Sequence, residues 1–133
     1  EQQPEVDHAY QGRDSRTGSM LGRPWRDAGD RFSYLLRARR SVADGTPLVL
    51  QLTVFGGEWQ AGMDVLVDGR KLGSIVLDGK GKDDLVVEEI ALPAEAAAAL
   101  RGAGARVEFV AHGGKRTPRV FEVRVVGSGP PRL

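Results

Sequence analysis

Apolar and polar residues alternate along most of this chain, and the spacing is that of strands. From Phe32 to Arg39, the side chains of Phe32, Tyr34, Leu36 and Ala38 fall on one side, with Ser33, Arg37 and Arg39 on the other. A period of two marks a half-buried strand. After the turn-forming run Asp44-Gly45-Thr46-Pro47, Leu48 to Phe55 is the most apolar stretch, with Leu48, Leu50, Leu52 and Val54 on one face. Its other face carries Val49 and Phe55, which predicts a central strand covered by more than one layer. Met63 to Val67, then Asp68-Gly69, then Arg70 to Leu77 predicts a hairpin closed by a type I′ turn, whose two central residues need positive φ. Further strands are expected over Leu85 to Leu92, Val107 to Ala111 and Val120 to Val126, with weaker ones near Val6 and Arg23. The polar run from Val6 to Met20 reads as largely loop, because Asp14, Ser15, Thr17, Gly18 and Ser19 cluster there. Pro93 to Leu100, with Pro93 at the first helical position and four successive alanines, is the one helical signal.

Turn signals recur about every 8–12 residues, as expected for an all-β antiparallel sandwich or jelly roll of about 7–9 strands with one short helical connector. One domain is expected over residues 6–126, between a flexible N-terminal end at 1–5 and a flexible tail or linker at 127–133. The chain starts at Glu1, which fits a piece excised from something longer.

With 19 basic and 18 acidic residues the formal net charge is +1, so no long-range field favours nucleic acid. No apolar run approaches the ~20 residues that a membrane helix needs. Cysteine is absent, which removes disulfides, zinc–thiolate sites and thiol nucleophiles. The two histidines, His8 and His112, read as solvated loop residues. The arginines of the N-terminal third, among them Arg13, Arg16, Arg26, Arg31, Arg37, Arg39 and Arg40, read as a solvated polar face. Asp78 to Asp84 looks like a calcium loop but lacks EF-hand ligand spacing. No cofactor is expected, and structural calcium stays an unsupported option. A glycosidase would need only two well-spaced carboxylates, and Asp14, Asp27, Asp30, Glu58, Asp64, Asp83 and Asp84 are available.

Both tryptophans sit among polar, loop-like residues: Arg23-Pro24-Trp25-Arg26-Asp27 and Gly57-Glu58-Trp59-Gln60. An indole on a loop can stack on the C–H face of a sugar ring while polar neighbours take the hydroxyls. The competing reading for Trp25 is a plug at one end of the sandwich beside an Arg26–Asp27 ion pair. Trp59 is the first choice as stacking platform, with Glu58, Trp25, Arg26, Asp27 and Asp64 as its candidate partners.

Gly22-Arg-Pro-Trp25-Arg26-Asp27-Ala28, then Phe32-Ser33-Tyr34, Phe55-Gly-Gly57, Asp64-Val-Leu-Val-Asp-Gly69 and Val120-Phe-x-Val-Arg124 follow one another in order. This order resembles the C-terminal β-sandwich domain of the bacterial beta-L-arabinofuranosidase-like glycoside hydrolases (glycoside hydrolase family 127 and relatives). The hairpin is also similar to galactose-binding-like and malectin-like sandwiches. The resemblance implies a non-catalytic accessory domain of an exported glycoside hydrolase, secreted or periplasmic. Its partners would be a poly- or oligosaccharide and the parent's catalytic domain. Two other readings stay open: a structural or dimerisation module that binds no sugar, and a small stand-alone glycosidase.

Overall fold

A computed structural model describes residues 10–38 and 46–127. His8, Arg39, Arg40, the Asp44-Gly45 turn and both expected flexible ends, apart from Gly127, lie outside the described residues. The elements are β1 (Gln11–Met20), β2 (Arg23–Leu36), β3 (Leu48–Phe55), β4 (Ala61–Val67), β5 (Arg70–Leu77), β6 (Leu85–Ala91), α1 (Ala94–Arg101), β7 (Ala105–Ala111) and β8 (Val120–Gly127). The expected all-β antiparallel class is therefore found, with eight strands among the described residues.

The strand order is β5-β4-β7-β2-β8-β3-β6, and β1 pairs with β2. β2 is the hinge of this arrangement. One edge runs against β1 from Arg23 to Ser33. The other edge meets β7 over Arg31–Leu36 and touches β8 at Arg26. Two wings, β4-β5-β7 and β3-β6-β8, thus leave the same strand and close over one core. That core takes Met63, Val65, Val67, Val107 and Phe109 from the first wing, and Leu48, Leu50, Leu52, Val54, Val120, Val123 and Val125 from the second. Phe32 lies between them, its ring 5.0 Å from that of Phe109. Each such side chain stabilises the fold by about 1.5–3 kcal/mol on burial.

The β4–β5 hairpin closes as expected, with φ of 47° at Asp68 and 83° at Gly69. α1 buries Ala96, Ala97 and Leu100 and caps one end of the sandwich. Leu100 O accepts the amide of Ala38 at 2.8 Å. Pro93 is the N-cap rather than the first helical residue.

Other expectations need correction. Residues 11–20 form β1, not a loop. As an edge strand paired on one side, β1 needs no apolar face, so its sequence carries no alternation. β2 starts nine residues before Phe32 and stops at Leu36. β3 lies between β8 and β6, with Val49, Gln51 and Phe55 half-buried and Thr53 buried on its second face. That face is therefore only partly covered, and among the described residues no further apolar layer like the core lies over it.

Candidate functional site

Trp59 sits in the loop between β3 and β4 and is 67% exposed, more than any other large apolar side chain among the described residues. Two glycine-rich loops hold it there. Gly56 N donates to Asp84 O at 2.9 Å, and Gly79 N donates to Glu58 O at 2.8 Å. A Cβ at Gly79 would lie 2.6 Å from Trp59 Cε3, and Gly79 has φ of +83°. Only glycine allows both this backbone shape and this approach. Asp78 Oδ1 accepts the amide of Lys80 at 3.1 Å, which closes the second loop on itself. Next to the indole, Gln60 is held at φ of 50°, a strained conformation of the sort that gathers at ligand-binding clamps. The indole thus rests against backbone and leaves most of its surface to solvent.

Glu58, one residue earlier, turns inward. Its carboxylate accepts the amide of Arg119 at 3.0 Å and faces Arg119 Nη1 at 3.4 Å. The Arg119 guanidinium lies 5.0 Å from the centre of the Trp25 ring. Arg16 approaches the same ring at 5.9 Å. Trp25 lies over Gly18, its cross-strand partner on β1. Arginine stacking therefore occupies the Trp25 surface, which fits the plug reading better than a free platform.

Asp27 is 3% exposed and is shared by two arginines. Arg16 grips it bidentately at 2.9 and 3.2 Å, and Arg116 Nη2 donates to it at 3.0 Å. The hydrogen bond to Asp27 raises the pKa of Arg16 above its ordinary value. Arg116 reaches Asp27 because its loop is clipped to β2. Thr117 N donates to Ala28 O at 2.8 Å, and Ala28 N donates to Thr117 Oγ1 at 3.0 Å. Arg116 Nη1 also faces the Asp14 carboxylate at 3.6 Å. The expected Arg26–Asp27 pair does not form, because neighbours on a strand point to opposite faces. Arg26 instead lies 4.1 Å over the Tyr10 ring and donates to Tyr10 Oη and Ser15 Oγ.

Asp64 belongs to a separate group on β4. Its Oδ1 accepts Ser74 Oγ at 2.7 Å and meets His112 Nε2 at 2.8 Å, with Lys71 Nζ at 3.4 Å. The Ser74 hydrogen bond, then the His112 contact, lowers its pKa to about 2. Serine, histidine and aspartate meet here in the wrong order for nucleophilic catalysis. A hydrolase triad places the histidine between serine and carboxylate, whereas here the carboxylate bridges and Ser74 contacts no base. His112, expected to be a solvated loop residue, is in fact anchored. No group of three or more His, Asp or Glu side chains among the described residues is placed to hold a metal ion.

Of the six expected site residues, Glu58, Trp25 and Asp27 are linked by arginine contacts. Glu58 is joined through Arg119 to Trp25, and Trp25 through Arg16 to Asp27. Trp59 meets this group only as the chain neighbour of Glu58, and Arg26 and Asp64 have other partners. The arginines that join them, Arg16, Arg116 and Arg119, carried no local motif.

A model described as a family of unknown function, DUF6805, matches residues 1–126. The chain belongs to this family. No curated protein matches it. Among solved structures, this DUF6805 domain is similar to a family 35 carbohydrate binding module from Clostridium thermocellum, at 12% identity and a TM-score of 0.64, over 93% of this chain and 95% of that one. It is similar to Xyl-CBM35, solved with a glucuronic acid-containing disaccharide, at 13% identity and a TM-score of 0.53, over 90% and 88% of the two chains. The exo-beta-1,3-galactanase of Phanerochaete chrysosporium, solved with galactose, gives 14% identity and a TM-score of 0.55, over 92% of the domain and 28% of the galactanase chain. At such identities the likeness establishes the sandwich fold. The expected kinship with the arabinofuranosidase-like enzymes is not confirmed: the family match is to DUF6805 and the structural likeness is to family 35 carbohydrate binding modules.

Proposed function

We propose that this domain is a non-catalytic carbohydrate-binding module with Trp59 as its stacking platform. The observation that carries this reading is a tryptophan 67% exposed on a support built from two interlocked loops. A flat apolar ring fixed before its ligand arrives loses little entropy on binding. The sugars held by Xyl-CBM35 and by the galactanase support the same ligand class. In this reading the domain is an accessory part of an exported glycoside hydrolase and acts outside the cytoplasm by holding the parent enzyme near its polysaccharide. Glu58 and Arg119 brace the platform from below, and Trp25 and Asp27 hold the adjoining surface.

Binding through one ring is shallow, so dissociation constants on the order of micromolar to millimolar are expected. The test is a tryptophan-fluorescence titration against xylan, β-1,3-galactan, arabinan and a glucuronic acid-containing disaccharide, repeated with Trp59→Ala. The expected outcome is a saturable shift in the native domain and an affinity about tenfold lower in the variant, as loss of one stacked ring implies. A flat response across the panel would instead favour a bracing module that touches protein only.

A further inference from the structure

Ala28 and Phe32 on β2 both enter the core. Asp27 and Ser33 are also buried, each 3% exposed, and the pairing with β1 shifts register between Ala28 and Arg31. The surface over this part of β2 is therefore formed by the arginines around it: Arg16 and Arg116 on Asp27, then Arg13 and Arg31 on Asp30. From Trp25 to Ser33 the strand spans about 26 Å at roughly 3.3 Å per residue. Its near end adjoins the Trp59 platform through Arg119 and Glu58. Its far end opens into a groove of about 320 Å³ lined by Gln11, Gly12, Arg13, Arg31, Ser33 and Glu108.

The chemistry of that groove is distinctive. It offers the Gln11 amide, the Glu108 carboxylate and two guanidinium groups, while the buried Ser33 hydroxyl already accepts Arg106 Nη1 at 3.0 Å. It holds no aromatic ring. Its charges cancel, because Arg31 meets Glu108 at 3.5 Å and Asp30 at 3.3 Å, while Arg13 meets Asp30 at 3.8 Å. Between groove and platform, Asp27 and Asp14 balance Arg16 and Arg116 in the same way. A track with balanced charge offers little to a polyanion, whose binding depends on unpaired cations. It suits a long molecule that carries hydroxyls on all sides.

We propose that this groove is a second subsite for the same glycan, so that one polysaccharide chain runs from Trp59 across the Arg16, Arg116 and Asp14 side chains that surround Asp27 to Gln11, Arg13 and Glu108. Trp59 supplies the stacking end and the groove supplies the hydrogen-bonding end. The inference rests on the carbohydrate-binding reading and adds that the ligand is an extended, uncharged chain rather than a single terminal sugar.

The test uses calorimetric titration of the whole domain with xylan, β-1,3-galactan and arabinan, and with oligosaccharides of each from disaccharide to long chains. The native domain is compared with the double variant Gln11→Ala, Arg13→Ala and with Glu108→Gln. The first variant alters exposed positions on the edge strand and the second keeps the shape of the side chain, and urea unfolding checks that both remain folded. The expected result is an affinity about tenfold lower for long chains, as the loss of two hydrogen bonds implies, with disaccharide affinity unchanged. Undiminished long-chain affinity in both variants would overturn the second subsite and leave the Trp59 reading standing. An equal loss for short and long ligands would also overturn it, as would a preference for a single-stranded oligonucleotide that weakens steeply with salt. No binding by the native domain to any glycan would overturn both readings together.

Discussion

Asp64 gathers Ser74, His112 and Lys71 on one carboxylate oxygen, and its pKa falls from the ordinary 3.8 to about 2. Above about pH 5 the group is ionised whether the chain is folded or not, and its contribution to stability is fully present. As pH falls from about 5 towards 2, the unfolded chain takes up the proton first, so stability falls with pH across that window. Urea unfolding followed through the window should show this acid limb, and Asp64→Asn should flatten it. At the same scale the sequence spoke unevenly. Trp59 could be picked out because a tryptophan between glycines announces itself locally. The anchoring of His112 could not, because Asp64 lies 48 positions away. For the same reason Asp27 looked like the partner of Arg26, its neighbour in sequence, when its partners are Arg16 and Arg116, 11 and 89 positions away.

Among the elements, the two loops beneath Trp59 act as one unit because glycine lets their backbones touch. Gly79→Ala would place a methyl group against the indole and force alanine into a left-handed conformation. We expect it to lower stability by about 1–3 kcal/mol and to weaken glycan binding, read by urea midpoint and fluorescence titration. Gly22→Ala is the natural comparison. Gly22 also has positive φ but nothing stands within 4 Å of an added Cβ, so this variant reports the backbone cost alone and should leave glycan affinity unchanged. The strongly apolar strands and the Asp68-Gly69 hairpin were legible because burial and turn chemistry imprint a short-range pattern. β1 was not, because an exposed edge strand obeys no hydrophobic alternation, and the polar start of β2 showed only as a weak strand near Arg23 for a similar reason. Its side chains from Trp25 to Asp27 serve ion pairs and ring stacking instead of the core.

For the molecule as a whole, the core is assembled from strands remote in sequence, and Phe32 and Phe109 meet at its centre with ring centres 5.0 Å apart. Phe109→Ala should cost about 3–5 kcal/mol, measured as a lower urea midpoint, because the ring is fully buried and both wings converge on it. The sandwich class was readable from the rhythm of strands and turns. The strand order was not, since pairing β2 with β7 and β8 joins segments that share no local signal. That shared strand also governs how the domain opens. A wing that peels away must break its bonds to β2, the one strand that both wings grip. Amide protons on β7 and on β8 should therefore exchange with solvent at a common opening free energy, as a single cooperative unit and not as two leaves that breathe independently.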